Sequence, residues 1–311
     1  MEPRKPEESR TIVQKLGLDP ILERLSGSLS LSDLNSLLLE VFRRKAAQTS
    51  AGELLKRYAS NRFVLPADVN PLELKRLEIA LLELAERHAY IPVQLSPVAP
   101  LGSCSAVASA DQNKIISATR GTEVVADATN ALALHICHSI RQGKLDNRVS
   151  PVRFSTTHRH VRAQRFAKPG LVPHFHLFCM VVSGRDTGSY AFEKQALLEQ
   201  LQLYQAVFSK LFNESITVIL NRRGGYPDSD GFVRRIFEWL REQAPEIGIV
   251  HNTEQAGNAY YQGLQFTIRV TIGGETLQIG DGGFVDWSQR MLGNKKERMM
   301  ISAIGLERLI P

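Results

Sequence analysis

Cysteine is scarce in this chain and carries no pattern. Cys104, Cys137 and Cys179 form no CxxC spacing, which excludes a disulfide scaffold and a Cys-rich zinc site and suits a reducing, cytoplasmic setting. Long apolar runs are missing too. None reaches the roughly 18–20 residues that span a bilayer, so no membrane partner is expected. The opening MEPRKPEESR is charged and has no apolar segment, so no secretory signal is read there. Phosphate-cradling glycine loops of the Walker or Rossmann form are absent, as are repeats and low-complexity stretches. What remains is ordinary globular material: 311 residues, 43% hydrophobic and 23% charged, enough for one large domain or two smaller ones. The balance is basic, with a formal charge of +6 and a pI near 9.3. Such a surface attracts polyanions, ATP and nucleic acid among them, although it also serves as a solubilising excess.

The pattern divides the chain into a helical N-terminal region, 1–68, and a core, 69–311. Ser32 is placed to cap a helix over 33–45, whose Leu34, Leu37, Leu38, Val41 and Phe42 share a face. Its end, Arg43-Arg44-Lys45, complements the helix dipole. Asn70-Pro71-Leu72-Glu73 is a stronger start: a cap, a proline at the first helical position and a glutamate in the first turn. Leu74, Leu77, Leu81, Leu84 and Ala85 continue it as an apolar stripe to His88. Beyond residue 90, strands alternate with turns. Extended segments are expected at 114–119 and 122–127, and a long pair at 152–166 and 174–182 joined by Lys168-Pro169-Gly170. Helices follow at 192–211 and 231–243, with strands at 215–220, 260–270 and 298–304. Long antiparallel strands with helices between them indicate an α+β fold, an antiparallel sheet flanked by helices.

Several constellations invite chemistry. His158/His160 and His174/His176 each place two imidazoles on one strand face, which makes a metal site conceivable, but symmetric pairing about the turn would not gather all four. No metal is expected. His135 and His138 lie one turn apart and fit a half-buried helix face equally well. Asp228-Ser229-Asp230-Gly231 resembles part of a calcium loop, yet lacks the later glutamate and reads better as a turn and helix cap. The basic constellation is stronger. Arg159, Arg162 and Arg165 approach a Pro-Gly loop that leads to Phe175, and Arg308 follows a late apolar strand. Arginine on a rigid strand holds phosphate bidentately, and an aromatic beside it stacks on a purine.

These features resemble the class II aminoacyl-tRNA synthetases, with three motifs in order across about residues 70–311. Residues 70–88 and the strand through Pro97 look like motif 1, the dimer-interface helix and strand. HVRAQRFAKPGLVPHFHLF, 160–178, resembles motif 2, and ISAIGLERLIP, 301–311, resembles motif 3. The histidyl branch is the nearest: NAYYQGLQF, 258–266, is similar to its Tyr-Tyr-x-Gly strand, GDGGFVDW, 280–287, to its Gly-Gly-Arg-Tyr-Asp element, and ITVILNRRG, 216–224, to the strand between. VADATNALAL, 125–134, stands where that branch has Arg-Pro-Glu-Gly-Thr. The resemblance implies a homodimer that takes ATP and Mg2+. Arg162 would contact the α-phosphate as the catalytic cation, Phe175 would stack on adenine, and Arg308 would lie against the ring and γ-phosphate. Asp127 and Thr129 would hold a substrate amino group, with Gln164, Tyr260 and Tyr261 also on the substrate.

The departures from that family are as specific. The acidic residue of motif 2 is Gln164, and the catalytic arginine of the histidine-specific strand aligns with Ala256. The glutamine after the Phe-His pair is Leu177, and the arginine of Gly-Gly-Arg-Tyr-Asp is Phe284. A buried imidazole needs matching polar groups, so histidine is not the expected substrate. The sequence stops at motif 3, where synthetases continue into an anticodon-binding domain. The resemblance thus implies an adenylate-forming paralogue acting on another amino acid or carboxylate, with tRNA, a carrier protein or a small amine as acceptor. Its alternatives are a non-catalytic paralogue like the regulatory subunit of ATP phosphoribosyltransferase, or an RNA-binding accessory protein.

Overall fold

The computed structural model describes residues 6–18, 20–164, 173–252 and 260–310. In chain order the first helices are α1 (Pro6–Lys15), α2 (Ile21–Glu23), α3 (Leu31–Ala47), α4 (Ala51–Ser60) and α5 (Pro71–Arg87). Short strands follow, β1 (Ile91–Pro92), β2 (Val98–Pro100), β3 (Ser117–Ala118) and β4 (Thr122–Val124), then α6 (Ala128–Arg141). The long elements come next: β5 (Val152–Val161), β6 (His174–Arg185), α7 (Ala191–Phe212), β7 (Ile216–Arg222) and α8 (Ser229–Gln243). The chain closes with β8 (Gly248–Asn252), β9 (Gln262–Ile272), β10 (Glu275–Val285), α9 (Trp287–Leu292) and β11 (Glu297–Gly305).

Two compact units result. One comprises Met1–Asp68, Ser96–Ala126 and His160–Phe175; the other comprises Val69–Leu95, Asp127–Arg159 and His176–Pro311. In the first, α3 begins two residues earlier than its sequence suggests, because Ser30 rather than Ser32 is the cap and accepts from the Asp33 N–H at 3.1 Å. Gly121 N–H donates to Asn35 of α3 at 3.1 Å, tying that helix to the turn before β4. The expected strands at 114–119 and 122–127 shrink to β3 and β4, which pair with β2 in a three-stranded sheet. Glu123, fully buried on β4, accepts from the Gly102 and Cys104 N–H groups and from Gln112. Those bonds give a buried carboxylate the partners that it needs away from water.

In the second unit α5 starts as its sequence dictates: Asn70 Oδ1 accepts from Leu72 N–H at 3.0 Å and Glu73 N–H at 3.4 Å. Leu74, Leu81, Leu84 and Ala85 are buried from that helix. The large sheet runs β1-β5-β6-β11-β10-β9-β7-β8. Its centre is antiparallel, and its two edges are parallel pairs, β1 with β5 and β7 with β8. The α+β fold with a helix-flanked sheet is therefore realised. Strand β10 is the element that its own sequence conceals, because GDGG reads as a loop. A Gly273-Gly274 turn with φ of +58° and +84° joins it to β9, as a two-residue hairpin loop requires. Gly282 is a packing necessity: a Cβ there would lie 2.5 Å from both the Phe266 ring and Ser302 Cβ.

Alternation sorts the faces of this sheet. Leu220, Phe266 and Gly282 stand opposite one another in register, and Val218 and Ile268 continue their face. Leu220, Phe266, Val218 and Ile268 join a core with Leu201, Tyr204 and Phe208 of α7 and Phe232 and Ile236 of α8. The intervening residues Asn221, Gln265, Gly283, Thr267 and Asp281 face the other way.

Candidate functional site

That other face carries a connected polar cluster, all of it in the second unit. Asp127 is the N-cap of α6, and its Oδ1 accepts from Thr129 N–H at 2.9 Å and Thr129 Oγ1–H at 2.6 Å. The Tyr260 hydroxyl donates to Asp127 Oδ2. The Tyr260 ring meets Tyr261 edge-on at 4.7 Å and Trp287 at 5.5 Å. Tyr261 donates to Asp281 Oδ1 at 3.0 Å, and Gln265 Nε2 donates to Asp281 Oδ2 at 3.0 Å. The Gln265 carbonyl oxygen in turn accepts from the Arg223 guanidinium. Asn252 Nδ2 reaches Asn221 Oδ1 at 3.0 Å and Asn221 Nδ2 reaches Thr267 at 3.3 Å, which extends the polar surface along β7 and β9.

The electrostatics follow from burial. Tyr260 and Tyr261 have phenols held well above the ordinary range, first by burial and then by the carboxylates of Asp127 and Asp281. They stay protonated and keep donating. Arg223 is buried, which lowers its pKa, while Tyr261 and Asp281 oppose that shift. Two carboxylates, the Thr129, Tyr260 and Tyr261 hydroxyls, the Gln265 amide and one guanidinium suit a small zwitterionic or amino-bearing ligand.

Four of the sequence-predicted substrate residues, Asp127, Thr129, Tyr260 and Tyr261, are thus brought together. Asp281, Gln265 and Arg223 join the same cluster and were not among the expected site residues. Part of their signal was present: Gln265 and Thr267 are polar residues two apart that flank the apolar Phe266, and Asp281 is the lone charge in the GDGG run.

Within the first unit, Arg162 and Phe175 also meet. The Arg162 guanidinium carbon lies 5.2 Å from the Phe175 ring centroid, and its Nε donates to Ala126 O at 2.9 Å. His160 stacks on Phe175 at 5.8 Å and 14°. Gln164 is half-buried, and its backbone carbonyl accepts from Arg62 at 3.3 Å. Arg308 belongs to the second unit, is exposed, and donates to Gln278 O at 2.9 Å. Arg165, Phe166 and the Lys168-Pro169-Gly170 turn lie outside the described residues, as does Ala256.

The four paired-strand histidines are buried, and among the described residues no group of three or more His, Cys, Asp or Glu side chains is arranged to hold a metal. Glu307 is already engaged: one oxygen accepts from the His176 N–H at 2.7 Å and lies 3.0 Å from His176 Nδ1. Among the described residues, the side chains do not assemble a protein-held magnesium site.

No protein-family model and no curated protein matches this chain. Solved structures do. The fold is similar to apo histidyl-tRNA synthetase of S. aureus at a TM-score of 0.59 and 14% identity, over 79% of this chain and 68% of that one. It is similar to an ATP phosphoribosyltransferase regulatory subunit/histidyl-tRNA synthetase from Bacillus halodurans at a TM-score of 0.59 and 11% identity, covering 78% and 80%. A protein assigned as a threonyl-tRNA synthetase from Aeropyrum pernix matches at 0.57 and 14%, covering 76% and 58%. The fold is therefore that of a class II aminoacyl-tRNA synthetase-like core. Within that class its likeness extends to synthetases and to a regulatory relative alike.

Proposed function

We propose that this chain is an ATP-dependent adenylate-forming protein that activates an amino acid or another carboxylate, and not histidine. The observation that carries the reading is the convergence of Asp127, Thr129, Tyr260 and Tyr261 in one hydrogen-bonded cluster. In the reaction the substrate carboxylate oxygen attacks the α-phosphorus of ATP and pyrophosphate leaves. Charge builds on the α-phosphate oxygens in the transition state, and Arg162 is the cation assigned to stabilise it. Its Nε–H is committed to Ala126 O, which orients the guanidinium beside Phe175, the ring assigned to adenine. Asp127 receives the substrate amino group, with Tyr260 and Tyr261 on the substrate. Any magnesium would be held chiefly by the nucleotide phosphates and would neutralise their charge, a mode common for this ion. The acceptor is tRNA, a carrier protein or a small amine, in a homodimer.

A pyrophosphate-exchange screen across a panel of amino acids tests this reading. Exchange with one non-histidine substrate is the expected result. Absence of ATP binding at millimolar nucleotide and magnesium would sink it.

One observation favours a second reading, a non-catalytic regulatory paralogue. Phe284 stands at the position where the histidyl branch has arginine, and it is a core residue that meets Phe232 edge-on at 6.0 Å. An apolar ring there supplies no charge for catalysis. The Bacillus halodurans protein, whose name joins both roles, shows that one such fold has been described in either way.

A further inference from the structure

Helices α3 and α4 present apolar faces that the first unit leaves uncovered. Every residue of α4 is exposed, including Leu54 at 60% and Leu55 at 69%, with Tyr58 beside them. Helix α3 buries no residue fully and leaves Phe42 55% exposed, along with Leu37 and Val41. Natural proteins seldom leave such stripes to water unless something binds there. The difficulty is sharpest for α4. Ten residues are too few for an isolated helix to be stable in water, and packing contributes little here.

The charges say what covers these faces. Residues 30–60 hold five cations, Arg43, Arg44, Lys45, Lys56 and Arg57, against three acids, Asp33, Glu40 and Glu53. At helical spacing Arg43 and Arg44 fall on opposite borders of the α3 apolar arc, and Lys56 and Arg57 do the same on α4. Glu40 pairs with Arg43 and Arg44, and Glu53 with Arg57, on the polar sides. Among the described residues no ion pair engages Lys45 or Lys56. Cations that flank an apolar arc can bury their stems and hold their heads level with anionic groups. Nucleic acid would use the cations but not the leucines. A second copy would use the leucines but would bring like charge against like.

We propose that α3 and α4 form an amphipathic patch that docks on an anionic lipid surface, lying on it rather than spanning it. This departs from the expectation of no membrane partner, which rested on spanning segments alone. No helix among the described residues is long and apolar enough to cross a bilayer, and the proposed docking needs none.

The test is co-sedimentation of the full chain with vesicles of phosphatidylcholine, and with an equimolar mixture of phosphatidylcholine and phosphatidylglycerol. Retention on the mixed vesicles, released by raised salt and at least about tenfold weaker on phosphatidylcholine, is expected. Both leucines are exposed, so the double substitution Leu54→Glu, Leu55→Glu keeps the fold, which circular dichroism verifies, and loses the retention. Lys45→Glu and Lys56→Glu each weaken it by roughly fivefold on anionic vesicles only. The proposal is overturned by no retention of the wild-type chain, by equal retention of the leucine variant, or by a leucine variant whose mass by light scattering drops from that of the wild type. The last would make a second copy the occupant. If low-salt tRNA displaces the vesicles and the leucine variant still binds tRNA equally well, the cations alone serve RNA and the lipid reading falls.

Discussion

Arg162 and Arg308 look interchangeable as motif arginines, but they sit in different surroundings. Arg162 is held by Ala126 O and the Phe175 ring, whereas Arg308 is exposed and bound only to a backbone carbonyl, Gln278 O, among the contacts described. A preorganised cation stabilises developing charge more than it stabilises bound ATP. Arg162→Ala is therefore expected to lower pyrophosphate exchange about 100- to 1000-fold with little change in ATP affinity. Arg308→Ala should chiefly weaken ATP binding, and calorimetric titration alongside single-turnover rates separates the two. His158 offers a pH handle at the same scale. Burial lowers its pKa, with the neighbouring His176 adding to the effect. In the unfolded chain it takes a proton near the ordinary value of about 6.5, before the folded state does. Its contribution is whole above that pH and is lost as pH falls through the window between the two values. Thermal melts should drop between neutral and mildly acid pH, and His158→Gln should flatten the drop. A variant as pH-sensitive as the parent would remove His158 as its source.

At the level of elements, α5 links sequence signal to assembly. Asn70→Ala removes the acceptor for two N–H groups and should cost about 1 kcal/mol in denaturant unfolding. The outer side of the same helix exposes Leu72 at 64% and Ile79 at 58%. Leu77 and Ala80 line an apolar groove of about 320 Å³ together with Leu211, Phe212, Leu309 and Ile310. If α5 is the dimer interface that motif 1 implies, Ile79→Glu converts a dimer into a monomer at micromolar concentration, read by light scattering. A wild-type chain that is already monomeric would remove that interface. Strand β10 shows the opposite relation between sequence and structure. Its glycines obscure it in sequence, yet Gly282→Ala should destabilise by about 1–3 kcal/mol, because the new methyl must displace Phe266 and Ser302.

For the whole molecule, the fold permits both catalytic and regulatory readings, and the ligand decides between them. Calorimetric titration with free histidine should give no saturable heat. By the motif resemblance Leu177 and Phe284 would stand where the histidyl branch carries polar side chains, and Phe284 is packed against Phe232. Micromolar affinity would mean that the pocket is aligned wrongly. If tRNA is the acceptor, filter binding should detect it at low salt and lose it steeply as salt rises, since phosphate contacts release counterions.

Local signals were legible where local chemistry suffices. The Asn70-Pro71 start and the leucine-rich helix from Phe192 to Leu211 declared themselves because caps and periodicities act within a few residues. Sequence alone also determined the α+β class and the order of the synthetase-like motifs, whereas the cap that joins Asp127 to Thr129 came with the structure. Tertiary structure alone decided the rest. It made GDGG a strand, because Gly282 is set by Phe266 and Ser302 across the sheet rather than by its own propensity. It brought Asp281, Gln265 and Arg223 to Tyr261 from three different strands or their ends, a meeting created by register over long sequence separations. It also left the α3 and α4 leucines in water. A hydrophobic stripe states that a face wants cover, and only the assembled chain reveals whether its own atoms provide it.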